Sequence, residues 1–186
     1  MLAQREGSLV VLVDMQPSFL NPIWRSEKIL ERCRFLLESA KLLDVPVIAT
    51  EQYPSRMGGT EESLLPYLSV APIPKMTFSC AGCELFVQEL RQRAPKQVIL
   101  VGIETHICVN QTAHHLLGQG FEVFLGMDAI SSRSSDMHFT GVTRIHDAGA
   151  VLAHTESLVY EWLNSAEDPK FKEALQIVKR YSEAKS

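Results

Sequence analysis

The sequence predicts a three-layer αβα fold built on a mostly parallel central sheet of about six strands. Two observations carry this expectation. Apolar runs of strand length alternate along the chain with longer stretches of helical period. Those runs are continuously apolar, as in strands covered on both faces. The 186 residues are 46 % hydrophobic and 22 % charged, a composition and length that suit one domain over 1–186 with a sizeable core.

Each element follows from local pattern. Residues 9–13 (LVVLV) form a buried strand, and residues 26–43 repeat apolar side chains at three- and four-residue steps, which makes a helix. Residues 45–50 form a second strand, with Pro46 near its start, where a missing N–H matters least. A helix from Gly82 or Cys83 to Arg93 leads to a third strand at 98–102. Residues 107–117 are helical, with Gly118 or Gly120 as the stop. A strand at 121–125, a helix at 135–146, a short strand at 150–153 and helices at 155–163 and 168–183 complete the chain. Asp168-Pro169 supplies a cap and a first-turn proline for the last helix. Its stripe of Phe171, Leu175, Val178 and Tyr181 packs either on its own domain or on a second subunit. Residues 51–77 are the longest irregular segment, and a segment of that length in a compact domain is usually functional.

Composition removes several function classes. Net charge is −4 with no Lys/Arg run beyond two residues, so the basic stripe of a nucleic-acid binder is missing. The run at 9–13 falls far short of the roughly 20 residues of a membrane span, and no signal-peptide pattern precedes it. Four cysteines without a secretion signal predict reduced thiols and a cytoplasmic protein. Neither glycine-rich phosphate-binding motif occurs, so no nucleotide cofactor is expected. Cys80-Ala81-Gly82-Cys83 has no second ligand pair at zinc-site spacing. It reads as a thiol near a pocket mouth followed by one at a helix start.

In open α/β sheets ligands bind beyond the carboxyl ends of the strands. Three residues fall there. Cys108 follows the third strand at the start of a helix, where the macrodipole lowers a thiol's pKa; it is either a nucleophile or a small buried residue. Asp14 ends the first strand, as a turn cap or as a catalytic carboxylate that needs a partner. Lys75, in the long segment, is an ordinary solvated lysine unless those two recruit it. Phe19, Tyr53, Phe78 and Ile107 fall near this place as pocket walls or as core. Thr105 joins them, Gln16 and Gln52 could orient a polar substrate group, and Arg133 could meet an anionic substrate or another subunit.

The stretches LVVLVDMQPSF, IATEQYP, KMTFSC, VILVGIETHICVNQTA and DAISSRS resemble, in order, the cysteine-hydrolase superfamily of isochorismatases and nicotinamidases. TEQYP and DPKFKEALQIVK look most like its isochorismatase domain-containing branch. The resemblance implies a Rossmann-like hydrolase fold. It makes Cys108 the nucleophile of a thioester mechanism, Asp14 the base and acid, and Lys75 their electrostatic support. It further implies a cis peptide at Ile103–Glu104 and an oxyanion hole from the backbone N–H groups of Glu104 and Cys108. Relatives of this kind are commonly oligomeric, so a homo-oligomer is expected.

One departure narrows the activity. Nicotinamidases carry an Asp-x-His…His metal site after the second strand; here that place reads Glu51-Gln52-Tyr53-Pro54, and all six histidines lie at 106 or beyond. The expectation is therefore a hydrolase of a small amide or related C–N substrate that needs no metal. The alternatives are a vinyl-ether hydrolase using Asp14 as acid, and a non-catalytic interaction protein on the same scaffold.

Overall fold

The computed structural model describes residues 1–183. Six strands form one sheet: β1 (Ser8–Val13), β2 (Val47–Gln52), β3 (Ile73–Lys75), β4 (Gln97–Ile103), β5 (Glu122–Ser131) and β6 (Val151–Ala153), in the order β3-β2-β1-β4-β5-β6, every pair parallel. The helices are α1 (Pro17–Leu20), α2 (Ser26–Leu42), α3 (Pro54–Met57), α4 (Glu84–Arg93), α5 (Asn110–Gly118), α6 (Ser135–Asp147), α7 (Thr155–Leu163) and α8 (Phe171–Glu183). This is the expected three-layer α/β architecture.

Side chains of β1 alternate between two cores. Val10 and Leu12 join Phe35, Leu36 and Trp162 on the face covered by α2, α7 and α8. Leu9, Val11 and Val13 join Phe86, Leu116 and Ile145 under α4, α5 and α6. Both faces are therefore dry, which is why these strands read as unbroken apolar runs. The last helix packs on its own chain: Ala174, Ile177 and Val178 are buried, and the Tyr181 ring stands 5.5 Å from Phe35 in an edge-on contact.

Besides the short unexpected helices α1 and α3, two differences from expectation bear on the sheet. The segment 51–77 is not wholly irregular, because Ile73–Lys75 adds an edge strand beside β2. Three residues are too few for a period to show. The fifth strand runs on to Ser131, with a register break opposite Leu100 and Gly102 of β4. Asp128, within that break, binds Arg32 and Thr155 and so anchors the extension through its side chain.

The strand order reverses between β1 and β4. β1 continues through β2 to β3 on one side, and β4 continues through β5 to β6 on the other. The crevice at such a reversal, beyond the carboxyl ends, is where open α/β sheets bind ligands. Gly102 permits the close approach there: a Cβ at that position would stand 2.2 Å from the Val13 carbonyl oxygen, and its φ is +108°. Only glycine meets both demands.

Candidate active site

β1 ends at Val13, and Asp14 turns out of the strand with a φ of 50°, a region that Asp enters more readily than most residues. Its N–H still bonds the Thr50 carbonyl at 3.2 Å, which keeps it at the sheet edge. Lys75 is the last residue of β3, in register with Gln52 of β2. The topology thus brings a carboxylate and an ammonium from residues 61 apart to one buried point, Lys75 Nζ lying 2.7 Å from Asp14 Oδ2.

Every polar atom of this pair has work. Lys75 Nζ also donates to Gln52 Oε1 at 2.6 Å and to the carbonyls of Thr77 and Phe78, both at 3.1 Å. Asp14 Oδ1 accepts from Thr50 Oγ1 at 2.8 Å. A buried ion pair persists only when its remaining hydrogen-bonding capacity is met in this way. Thr50 was not among the expected residues, yet the parallel pairing of Val13 with Thr50 places it beside Asp14; the signal was the register, which the sequence alone does not print.

Beyond β4, a cis peptide links Ile103 to Glu104. The chain then makes a single π-turn over Thr105–Val109 before α5. Cys108 lies in that turn, 8 % exposed. Its thiol is pushed up, not down: burial is the largest cause, the Asp14 charge adds to it, and Lys75 opposes it only in part. The helix-dipole expectation of a depressed thiol is corrected here. Desolvation and a neighbouring carboxylate outweigh a helix terminus. The resting thiol holds its proton beside a carboxylate that can accept it.

Asp14, Phe19, Gln52, Phe78, Ile103, Glu104, Ile107 and Cys108 line a cavity of about 130 Å³. A cleft of about 490 Å³ near Gly7, Ser8 and Pro46 lies at the amino ends of the strands, away from this thiol. Of the expected pocket residues, Phe19, Gln52, Phe78 and Ile107 are brought together, and three stand elsewhere. Gln16 is fully buried, its amide spent on the Gln52 backbone and the Gly58 carbonyl. Tyr53 lines an adjoining surface groove with Pro54 and Met76. Thr105 is buried with its hydroxyl 3.1 Å from His138 Nδ1. For Gln16 and Thr105 a neighbouring backbone or side chain claims the group first, whereas Tyr53 is turned to the surface. Ile103 lines the cavity as well; it was expected only as one partner of the cis peptide, not as a pocket wall.

Outside the cavity wall, Arg133 Nε donates to Glu104 Oε2 at 3.1 Å, and His106 Nδ1 lies 2.9 Å from Ser132 Oγ. Arg133 is therefore committed to a carboxylate of its own chain. Cys80 does not sit at a pocket mouth as expected. It is fully buried behind Thr50, 3.6 Å from Thr50 Oγ1, and burial pushes its thiol up to about 11. Among the described residues no group of three His, Cys, Asp or Glu side chains is placed to hold a metal ion, and no helix is long and apolar enough to cross a membrane.

Comparison with known proteins identifies the scaffold. The isochorismatase domain matches residues 8–157. Isochorismatase domain-containing protein 2A of Mus musculus is 37 % identical over 175 residues, covering 94 % of this chain and 84 % of that protein. The MAR1 ribonuclease structure from Caenorhabditis elegans superposes with a TM-score of 0.90 at 32 % identity, covering 96 % of this chain and 93 % of that one. The YcaC gene product from Escherichia coli, described as an octameric hydrolase of unknown specificity, shares the fold with a TM-score of 0.87 at 21 % identity, over 99 % of this chain and 98 % of that one. The chain belongs to the isochorismatase family.

Proposed function

We propose that the protein is a cysteine hydrolase of small amides or related acyl C–N compounds. The observation that carries this reading is the buried Cys108 thiol facing an Asp14 carboxylate that Lys75 and Thr50 hold in place. Asp14 takes the thiol proton as Sγ attacks the substrate carbonyl, and the carbonyl electrons move onto oxygen. The backbone N–H groups of Glu104 and Cys108 receive that oxyanion; one such donor is typically worth about 2.7–4 kcal/mol in the transition state. Asp14 then passes its proton to the departing nitrogen, the C–N bond breaks and a thioester remains. Water attacks the thioester with Asp14 again as base, and the acid and free thiol are released. One carboxylate serves both steps because it alternates between acceptor and donor.

The ribonuclease name of the nematode relative suggests a different substrate. A cavity of about 130 Å³ lined by two carboxylates, with Lys75 fully engaged, favours a small neutral ligand over a phosphodiester. Four free cysteines support a reducing, cytoplasmic setting, and the octameric relative supports a homo-oligomer for this chain too. The test is Cys108→Ala assayed on short amides and on a vinyl ether. Amide turnover should fall at least a thousandfold, to the uncatalysed rate. Vinyl-ether cleavage that survives the substitution would replace the thioester reading with acid catalysis by Asp14.

A further inference from the structure

We infer that the acyl part of the substrate is apolar, uncharged and no larger than a single six-membered ring, which makes the substrate an amide of a short aliphatic or monocyclic acid. This inference rests on the amide-hydrolase reading and deepens it. Size comes from the cavity beside the thiol, about 130 Å³ in volume. An engineered protein cavity of about 150 Å³ stays dry and takes benzene. Acetamide would leave most of such a space empty, and the second ring of a fused system would have to pass the Phe78 rim, which stands at the open side of the cavity.

Polarity comes from the walls. Phe19, Phe78, Ile103 and Ile107 supply the side-chain surface around the thiol. The ionisable lining groups besides Cys108 are two carboxylates, Asp14 and Glu104. The nearby ammonium, Lys75 Nζ, already faces four acceptors within 3.1 Å. Arg133 holds the Glu104 carboxylate from outside the wall. An anionic acyl chain would therefore lose its hydration against apolar rings and face like charge with no cation free to pair it. A cationic chain gains little, because Lys75 and Arg133 already compensate both carboxylates.

The test uses the full-length protein and two readouts. Ammonia release reports turnover of acetamide, isobutyramide, benzamide, 2-naphthamide, 4-methylpentanamide and succinamate. Protection of Cys108 from iodoacetamide, read by peptide mass spectrometry, reports occupancy of the cavity without turnover. The expected order rises from acetamide to isobutyramide and benzamide, by roughly fourfold for each added methylene, and falls at least tenfold for 2-naphthamide. Succinamate should be at least tenfold poorer than 4-methylpentanamide, its neutral isostere. Phe78, 55 % exposed on the pocket rim, offers a structurally mild enlargement, and Phe78→Ala should improve 2-naphthamide relative to benzamide. Best turnover of succinamate or 2-naphthamide by the unaltered protein would overturn the substrate class and leave the hydrolase reading standing. The expected protection order without ammonia from any amide would leave the class standing and overturn amide hydrolysis. Neither protection nor ammonia from any amide would overturn both.

Discussion

At the scale of the residue, the decisive relation is between a thiol kept protonated and the carboxylate beside it. Burial raises the Cys108 thiol most, Asp14 adds to the rise through its charge and a hydrogen bond, and Lys75 pulls the other way. Asp14→Asn removes the carboxylate's share of the rise and retains the lowering influence of Lys75. Its Cys108 should therefore alkylate faster than that of the unaltered protein at pH 7.5, by about tenfold for each unit by which the thiol falls, while amide turnover is lost. The two readouts must move in opposite directions; slower alkylation together with lost turnover would mean that Asp14 only holds the site's shape. Lys75 keeps three other acceptors in that variant, so its charge remains hydrogen-bonded. The sequence made Asp14 and Cys108 legible because each follows a strand at the carboxyl edge, whereas Lys75 drew attention only through those two and the family resemblance of KMTFSC. The sign of the thiol's shift was not legible, since it depends on burial and on which charge stands nearest. Gln16 and Thr105 were misplaced for a related reason: their type suits a pocket, but partners distant in sequence consume them.

At the scale of the element, β1 and β4 form the hinge of the whole arrangement. Asp14 follows the one and Cys108 the other, and Gly102 lets the two strands meet where the chemistry is placed. Gly102→Ala would drive a methyl group to 2.2 Å from the Val13 carbonyl oxygen, one residue before Asp14. Backbone cannot yield as a flexible side chain can, so the variant should lose roughly 2–4 kcal/mol of stability, a range set by overpacking plus a positive φ. A denaturant titration checks this; a midpoint within experimental error of the unaltered protein would show that the strands have slack there. The strong strands and long helices were readable because their periods persist over many residues. β3 was not, since three residues with a proline at the centre carry no period, and it is this strand that delivers Lys75. The apolar run ends at Leu125, and the extension of β5 beyond it is held by Asp128 through Arg32 and Thr155, partners far away in sequence.

At the scale of the whole molecule, three buried thiols tie stability to pH. Cys33, Cys80 and Cys108 are all pushed up by burial, whereas an unfolded chain gives up thiol protons near pH 8.5. The folded state therefore binds more protons than the unfolded state above that pH, and stability falls as pH rises. Each thiol adds up to about 1.4 kcal/mol per pH unit to that slope until its own folded pKa is reached. Cys80, at about 11, stops contributing first. Chemical denaturation at pH 7.5, 9 and 10 should give a progressively lower unfolding free energy, and Cys33→Ala should make the slope shallower. A slope unchanged by that substitution would contradict the assignment. The fold as a whole was legible because alternation of strand and helix constrains topology strongly. The strand order, which fixes the crevice, follows from packing of both faces and becomes visible only in the assembled sheet.

The thioester is tested most directly by a rapid acid quench of the protein during turnover of isobutyramide, followed by intact and peptide mass spectrometry. An isobutyryl adduct should appear, confined to the peptide bearing Cys108, formed and discharged at rates compatible with turnover, and absent in Cys108→Ala. Ammonia released at an undiminished rate by Cys108→Ala, or turnover with no acyl adduct even when discharge is slowed, would contradict the thioester mechanism and with it the central role of the thiol.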